Sequence, residues 1–251
     1  MSRPVSRSSI SISSRSALAA LWIAAVAWSG CSQRTQENAD TAEPASPVSL
    51  RILSPAAGET ASGPDVEVQL QLTGYEVYFD SATGMGQHIH MILDNQPYIP
   101  HYSTAPFTFK GVAPGTHTIR AFPSREWHES IKAPTAFVMV TFNVENADGQ
   151  NAPEAGAPLL TYSRPKGEYK GEMGKRILVD YWIQNCVIGP EAYRVRMRID
   201  GTAQEFIKWE PYYLENLAPG EHAISLELIG PDGNPAAGVF NSTTRTFTVS
   251  P

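Results

Sequence analysis

Apolar and polar residues alternate along much of this 251-residue chain. Val66, Val68, Leu70 and Leu72 are separated by Glu67, Gln69 and Gln71. Ile177, Val179, Tyr181 and Ile183 follow the same rule, as do Val195, Met197 and Ile199 between Arg194, Arg196 and Arg198. A period of two is the signature of a strand with one face turned to a core. No stretch beyond the N-terminal segment holds a helical period for three turns. The alternating runs recur about every ten residues between clusters of Gly, Pro, Asn and Asp, which points to an all-β chain built as β-sandwiches of immunoglobulin or fibronectin III type.

The second half repeats the first. Val112–Ile119 (VAPGTHTI) returns as Leu217–Ile224 (LAPGEHAI), Leu93-Asp94-Asn95 as Ile199-Asp200-Gly201, and Thr141–Val144 (TFNV) as Thr246–Val249 (TFTV). Pro55 with Gly58-Glu59 has a counterpart in Pro165 with Gly167-Glu168. A near-constant offset over these landmarks implies duplication of a domain of ordinary size. We expect a first sandwich over 48–146, a linker over 147–157 and a second sandwich over 158–251.

The N-terminal segment stands apart. Residues 1–30 carry Arg3, Arg7 and Arg15 and no acid, then an apolar run from Ala17 to Trp28, then Ser29-Gly30. That run is too short to span a bilayer, and with small residues after it the segment reads as a signal peptide. Its end resembles a bacterial lipobox, which implies lipidation of Cys31 and, in a double-membraned cell, an outer-membrane anchor facing the periplasm or the surface. Residues 31–47 read as a flexible polar tether. Losing the leader would take the net charge from −6 to −9, which argues against nucleic acid as a partner. Only Cys186 would then remain beside Cys31, so no disulfide framework is expected.

Two stretches carry candidate chemistry. In Gly86–Tyr102 (GQHIHMILDNQPYIPHY), Ile89, Met91 and Leu93 alternate with His88, His90 and Ile92. If Asn95 and Gln96 form a two-residue turn, His90 faces His101. His88, His90 and His101 then share one outward face and can hold a copper or zinc ion. The second copy has Arg194, Arg196 and Arg198 at the matching positions, so that face has diverged or is a solvated surface in both. The other stretch is the loop holding Arg125, Trp127, His128 and Glu129, which has no counterpart in the second copy and is a candidate ligand-binding loop. His117 and His222 occupy one repeated place and are taken as structural.

Gly115–Ser130 (GTHTIRAFPSREWHES) and Pro158–Gly171 (PLLTYSRPKGEYKG) resemble a family of bacterial two-domain envelope lipoproteins with no established activity. Gly86–Tyr98 is similar to short Gly-x-His-x-His…Leu-Asp segments of small secreted domains. The chain has no nucleophile elbow, His-Glu-x-x-His, phosphate loop or dinucleotide fingerprint, so it is not expected to be an enzyme and needs no cofactor beyond that metal. The expectation is a membrane-anchored binding or structural module with a protein or glycan partner. The alternatives are metal binding by the histidines and polysaccharide binding through Tyr98, Tyr102, Trp127, Trp209 or Tyr212.

Overall fold

The computed structural model describes residues 9–11 and 47–251. The strands in chain order begin with β1 (Ser9–Ser11). A first set comprises β2 (Ser49–Ser54), β3 (Thr60–Ala61), β4 (Val66–Thr73), β5 (His88–Leu93), β6 (Ile99–His101), β7 (Phe107–Phe109), β8 (Gly115–Ser124) and β9 (Val138–Val144). A second set comprises β10 (Leu159–Arg164), β11 (Gly167–Lys170), β12 (Arg176–Gln184), β13 (Arg194–Ile199), β14 (Thr202–Phe206), β15 (Tyr212–Glu215), β16 (Gly220–Ile229) and β17 (Ser242–Ser250). One helical turn, α1 (Glu172–Lys175), lies between β11 and β12.

The two sets have the same topology. In the first, β2-β4-β7 faces β3-β9-β8-β5-β6; in the second, β10-β12-β15 faces β11-β17-β16-β13-β14. Even the parallel pairing of β3 with β9 returns as β11 with β17. The chain is all-β, with two immunoglobulin/fibronectin III-like sandwiches in tandem. β1 adds to the second sandwich beside β15, in parallel. Its three residues fall inside the segment read as a leader, and the remainder of that segment, with Cys31, lies outside the described residues.

Each sandwich closes on the apolar face of its alternating strands. Val66, Val68, Ile89, Met91, Ile119 and Phe142 fill the first core. Val179, Tyr181, Val195, Met197, Leu226 and Phe247 fill the second. His117 and His222 do the same structural job in each copy. His117 Nδ1 lies 2.7 Å from Asp94 and His222 Nδ1 2.5 Å from Asp200, and each Nε2 donates to an alanine carbonyl, Ala113 or Ala218, at 2.8 Å.

A third core joins the copies. Ile92, Tyr98, Phe122 and Phe137 of the first sandwich pack with Trp182 of the second. Trp182 stacks on Phe122 and Phe137 with ring centroids 5.6 and 5.3 Å apart. The outer face of β5 and β8 is therefore covered by the outer face of β10 and β12. β8 is buried along its whole length, and β12 at every residue but its two ends. Polar groups inside the seam are matched across it. Arg120 donates to Thr161 Oγ1 at 2.9 Å and lies over the Phe240 ring. Asn95 receives hydrogen bonds from Thr243 and Arg245.

The seam also buries an ion pair. Asp180 is fully buried, 2.7 Å from Lys132 Nζ, and accepts from the Ser130 hydroxyl at 3.1 Å. Removing the ammonium alone leaves a buried carboxylate short of its counter-charge. Lys132→Met is expected to cost about 3–5 kcal/mol in chemical denaturation, with much of the loss restored by adding Asp180→Asn.

Candidate metal centre

His88 and His90 occupy alternate positions of β5, so both imidazoles leave the same face. That face points into the seam, and both residues are fully buried rather than outward and solvated as the alternation suggests. In the second copy, the equivalent face of β13 is not covered. There Arg194 and Arg196 pair with Glu205, and Arg196 also reaches Glu227. Imidazole in one copy and guanidinium in the other thus follows from which copy is covered.

His101 does not join them. The hairpin pairs Ile89 with His101 and His90 with Pro100, one residue off the two-residue-turn register. The cause is Asp94, which adopts φ +50° and lets the turn close over three residues, with Gln96 N bonded to Leu93 O. Asp94 is held there by His117 and by the backbone N–H of Thr118, which reach its carboxylate. One residue of slip puts a side chain on the other face. His101 accordingly bonds the Ala105 carbonyl and meets Phe107.

The third imidazole comes from the loop after β8. Arg125 N bonds Glu129 O, His128 N bonds Arg125 O, and the Trp127 indole donates to the Glu129 carboxylate at 3.0 Å. This tight turn holds His128 at φ +69°, a costly conformation for a bulky residue, and sends its ring inward. Trp127 stays on the surface with the Arg125 guanidinium over it. The two stretches singled out in the sequence therefore meet: His88, His90 and His128 form one cluster, with their nearest ring nitrogens all within 4.8 Å.

The hydrogen-bond arithmetic of this cluster does not close. His88 Nδ1 donates to the Gly86 carbonyl at 2.7 Å, which leaves Nε2 with one in-plane lone pair. His90 Nε2 and His128 Nδ1 both lie 2.9 Å from that nitrogen. One can donate an N–H to the lone pair; the other is left facing a nitrogen with nothing more to accept with. The Tyr98 hydroxyl, 3.0 Å from His128 Nδ1, competes for the same atom. His90 is steadied from the other side by Ser163 Oγ of the second sandwich, 3.1 Å from Nδ1.

Protonation does not resolve the conflict. Burial lowers the His88 pKa to about 4, helped by the charges of Arg164 and Lys166 and partly opposed by the Gly86 bond. Burial first, then His88, His128 and the two cations, hold His90 well below the usual range. His128 falls to about 2, by burial, Arg164, His88 and Lys166. Three neutral imidazoles converge on one point.

The aromatic residues considered for polysaccharide binding are mostly elsewhere engaged. Tyr98 is buried in the seam and Tyr212 in the second sandwich. Trp209 bonds the Tyr181 carbonyl, and Tyr102 lies against His88. Trp127 alone of the five is exposed, with Phe79 and Tyr78 as further exposed aromatic rings.

No protein-family model and no curated protein matches the chain. Among solved structures it is similar to the fibronectin(III)-like modules of CbhA from Clostridium thermocellum, at 15% identity over 80% of this chain and 94% of that one, with a TM-score of 0.29. A protein described as membrane anchored, from Corynebacterium diphtheriae, aligns at 13% identity over 80% of this chain with a TM-score of 0.28; the alignment spans 53% of that longer chain. The SGBP-B protein of a Bacteroides ovatus mixed-linkage glucan utilization locus, in complex with a heptasaccharide, aligns at 11% identity over 86% of this chain and 71% of that one, with a TM-score of 0.22. Likeness at this level carries no functional argument. Among the described residues no helix is long and apolar enough to cross a membrane.

Proposed function

We propose that this chain is a non-enzymatic, lipid-anchored envelope protein that binds one copper or zinc ion through His88, His90 and His128 at the seam of its two sandwiches. The observation that carries the reading is the pair of 2.9 Å contacts on the single lone pair of His88 Nε2. An ion among the three nitrogens turns both contacts from conflict into coordination. Around a four-coordinate zinc with Zn–N bonds of about 2.0–2.1 Å, neighbouring ligand atoms sit about 3.3 Å apart; the two 2.9 Å contacts to His88 would open slightly, and the His90 and His128 nitrogens, within 4.8 Å of each other, would settle at the same spacing. Imidazole suits copper and zinc rather than magnesium or calcium. The Gly86 carbonyl on the far nitrogen of His88 is the outer support that metal-binding histidines ordinarily have. The anchor rests on the leader and on Ser29-Gly30-Cys31. The duplicated scaffold supplies a rigid seam rather than a catalytic cleft.

The test is thermal unfolding of the full chain in detergent, with copper(II) or zinc and then with chelator. Free ion at 1,000 times Kd is expected to add about 4 kcal/mol. For a chain of this size that is a rise in Tm on the order of 10 °C. Chelator reverses it and His90→Ala removes it. A Tm indifferent to both metals refutes the reading.

A further inference from the structure

We infer that the histidine centre selects copper(I) over copper(II) and zinc, and that Arg164 and Lys166 set this selection. The inference rests on the metal reading above and names the charge of the ion. Among the described residues, the three imidazole nitrogens gather with no carboxylate or thiolate in their group. Glu129, next to His128 in the chain, accepts from the Trp127 indole at 3.0 Å. Asp180, the acid buried in the seam, is 2.7 Å from Lys132 Nζ. Every ligand in the group is therefore neutral, and the full charge of the ion stays on the site.

The fixed charges that reach the three imidazoles have the sign of the ion. They are those of Arg164 and Lys166. Both stand one ring away from His90. Lys166 Nζ is 3.9 Å from the centre of the Tyr98 ring and the Arg164 guanidinium carbon 5.5 Å, and Tyr98 stacks on His90 with centroids 3.5 Å apart. Repulsion by these cations grows in proportion to the charge of the ion. The cost of taking the ion out of water grows with the square of that charge. A second elementary charge thus doubles the first cost and quadruples the second, with no anionic ligand to offset either.

Coordination points the same way. Copper(II) favours a square-planar or tetragonal set of ligands, and zinc a tetrahedral one. Here three nitrogens converge, and rings wall them in: Tyr98 and Phe122 against His90, Tyr102 against His88. The parallel stack keeps the Tyr98 hydroxyl out of the plane in which an ion on His90 must lie. The Gly86 carbonyl and the Ser163 hydroxyl are on the far nitrogens of His88 and His90. Copper(I), with its filled d shell, needs no more than three neutral nitrogens.

The experiment loads the full chain in detergent with copper(II), then reduces and reoxidises the bound copper stepwise without oxygen, following the copper(II) electron paramagnetic resonance signal. A midpoint above that of aqueous copper means that copper(I) is held more tightly than copper(II) at the same site. That is the expected result, together with displacement of bound zinc by equimolar silver(I), a monovalent ion that keeps its oxidation state. Lys166→Gln removes one cation and is expected to narrow the copper(I) preference roughly tenfold, a fall of about 59 mV in the midpoint. Lys175→Gln, on the exposed helical turn, leaves the midpoint in place. A wild-type midpoint at or below that of aqueous copper, one that Lys166→Gln leaves unchanged, or zinc that silver(I) does not displace overturns the copper(I) assignment and leaves the three-histidine site standing. No metal bound by the wild-type chain overturns both.

Discussion

Replacing Trp182 by Ala is expected to lower stability by about 3–5 kcal/mol, as for other large aromatic side chains removed from a packed interior. The change is also expected to alter the form of unfolding. Trp182 is the second sandwich's fully buried contribution to the core that holds Ile92, Phe122 and Phe137, with Trp209 partly buried beside it, so the wild-type copies share apolar surface that neither can bury alone. The intact chain is expected to melt in one calorimetric transition. Trp182→Ala is expected to split it in two, because each sandwich keeps its own core while the seam loses its centre. A single transition with an unchanged midpoint would mean that the seam couples nothing. The loss also reaches the histidine cluster, since Ser163 bonds His90 and the charges of Arg164 and Lys166 act on His88 and His128 from the second sandwich.

Acidification is the second large effect. The folded pKa values of His88, His90 and His128 are all depressed, chiefly by burial. Free histidine titrates near 6.5, so below that pH the unfolded chain takes up protons that the folded chain refuses. Stability from these groups is therefore whole above about pH 6.5 and is lost as pH falls toward the folded value of His88, about 4. Each histidine contributes a slope of up to about 1.4 kcal/mol per pH unit, and three acting together up to about 4. His222 works in the other direction. Burial lowers its pKa, but the Asp200 and Ala218 hydrogen bonds and the Asp200 charge more than offset this and raise it. Its contribution is present below the unfolded value and is lost as pH rises through the folded one. Denaturant midpoints measured between pH 4 and pH 8 for the metal-free chain, and for His90→Ala with His128→Ala, check the account. The double variant is expected to be the flatter of the two; equal slopes would remove the buried imidazoles from the explanation.

The strands and the duplication were legible because period two and a near-constant offset are local properties of a chain. The seam was not. Ile92, Phe122 and Trp182 stand at positions that alternation assigns to solvent, and a strand covered on both faces shows alternation only on the face its own sandwich buries. The register of the β5–β6 hairpin turned on Asp94 at φ +50°, and the residues that hold it there, His117 and Thr118, come from another strand. His101 was misplaced for that reason. His128 left a signal in the sequence: its loop has no counterpart in the second copy. What placed it beside β5 was the pairing of β8 with β5, in which His88 faces Ser124, four residues before His128.

Metal stoichiometry decides whether His88, His90 and His128 hold an ion. The full chain in detergent is dialysed against copper(II) or zinc, freed of excess, and analysed for metal and protein, alongside His88→Ala, His90→Ala, His128→Ala and His101→Ala. The expected result is one ion per chain in the wild type and in His101→Ala, and loss of that ion in each of the other three. A wild-type chain that retains no metal, or retains it independently of His128 while needing His101, contradicts the account.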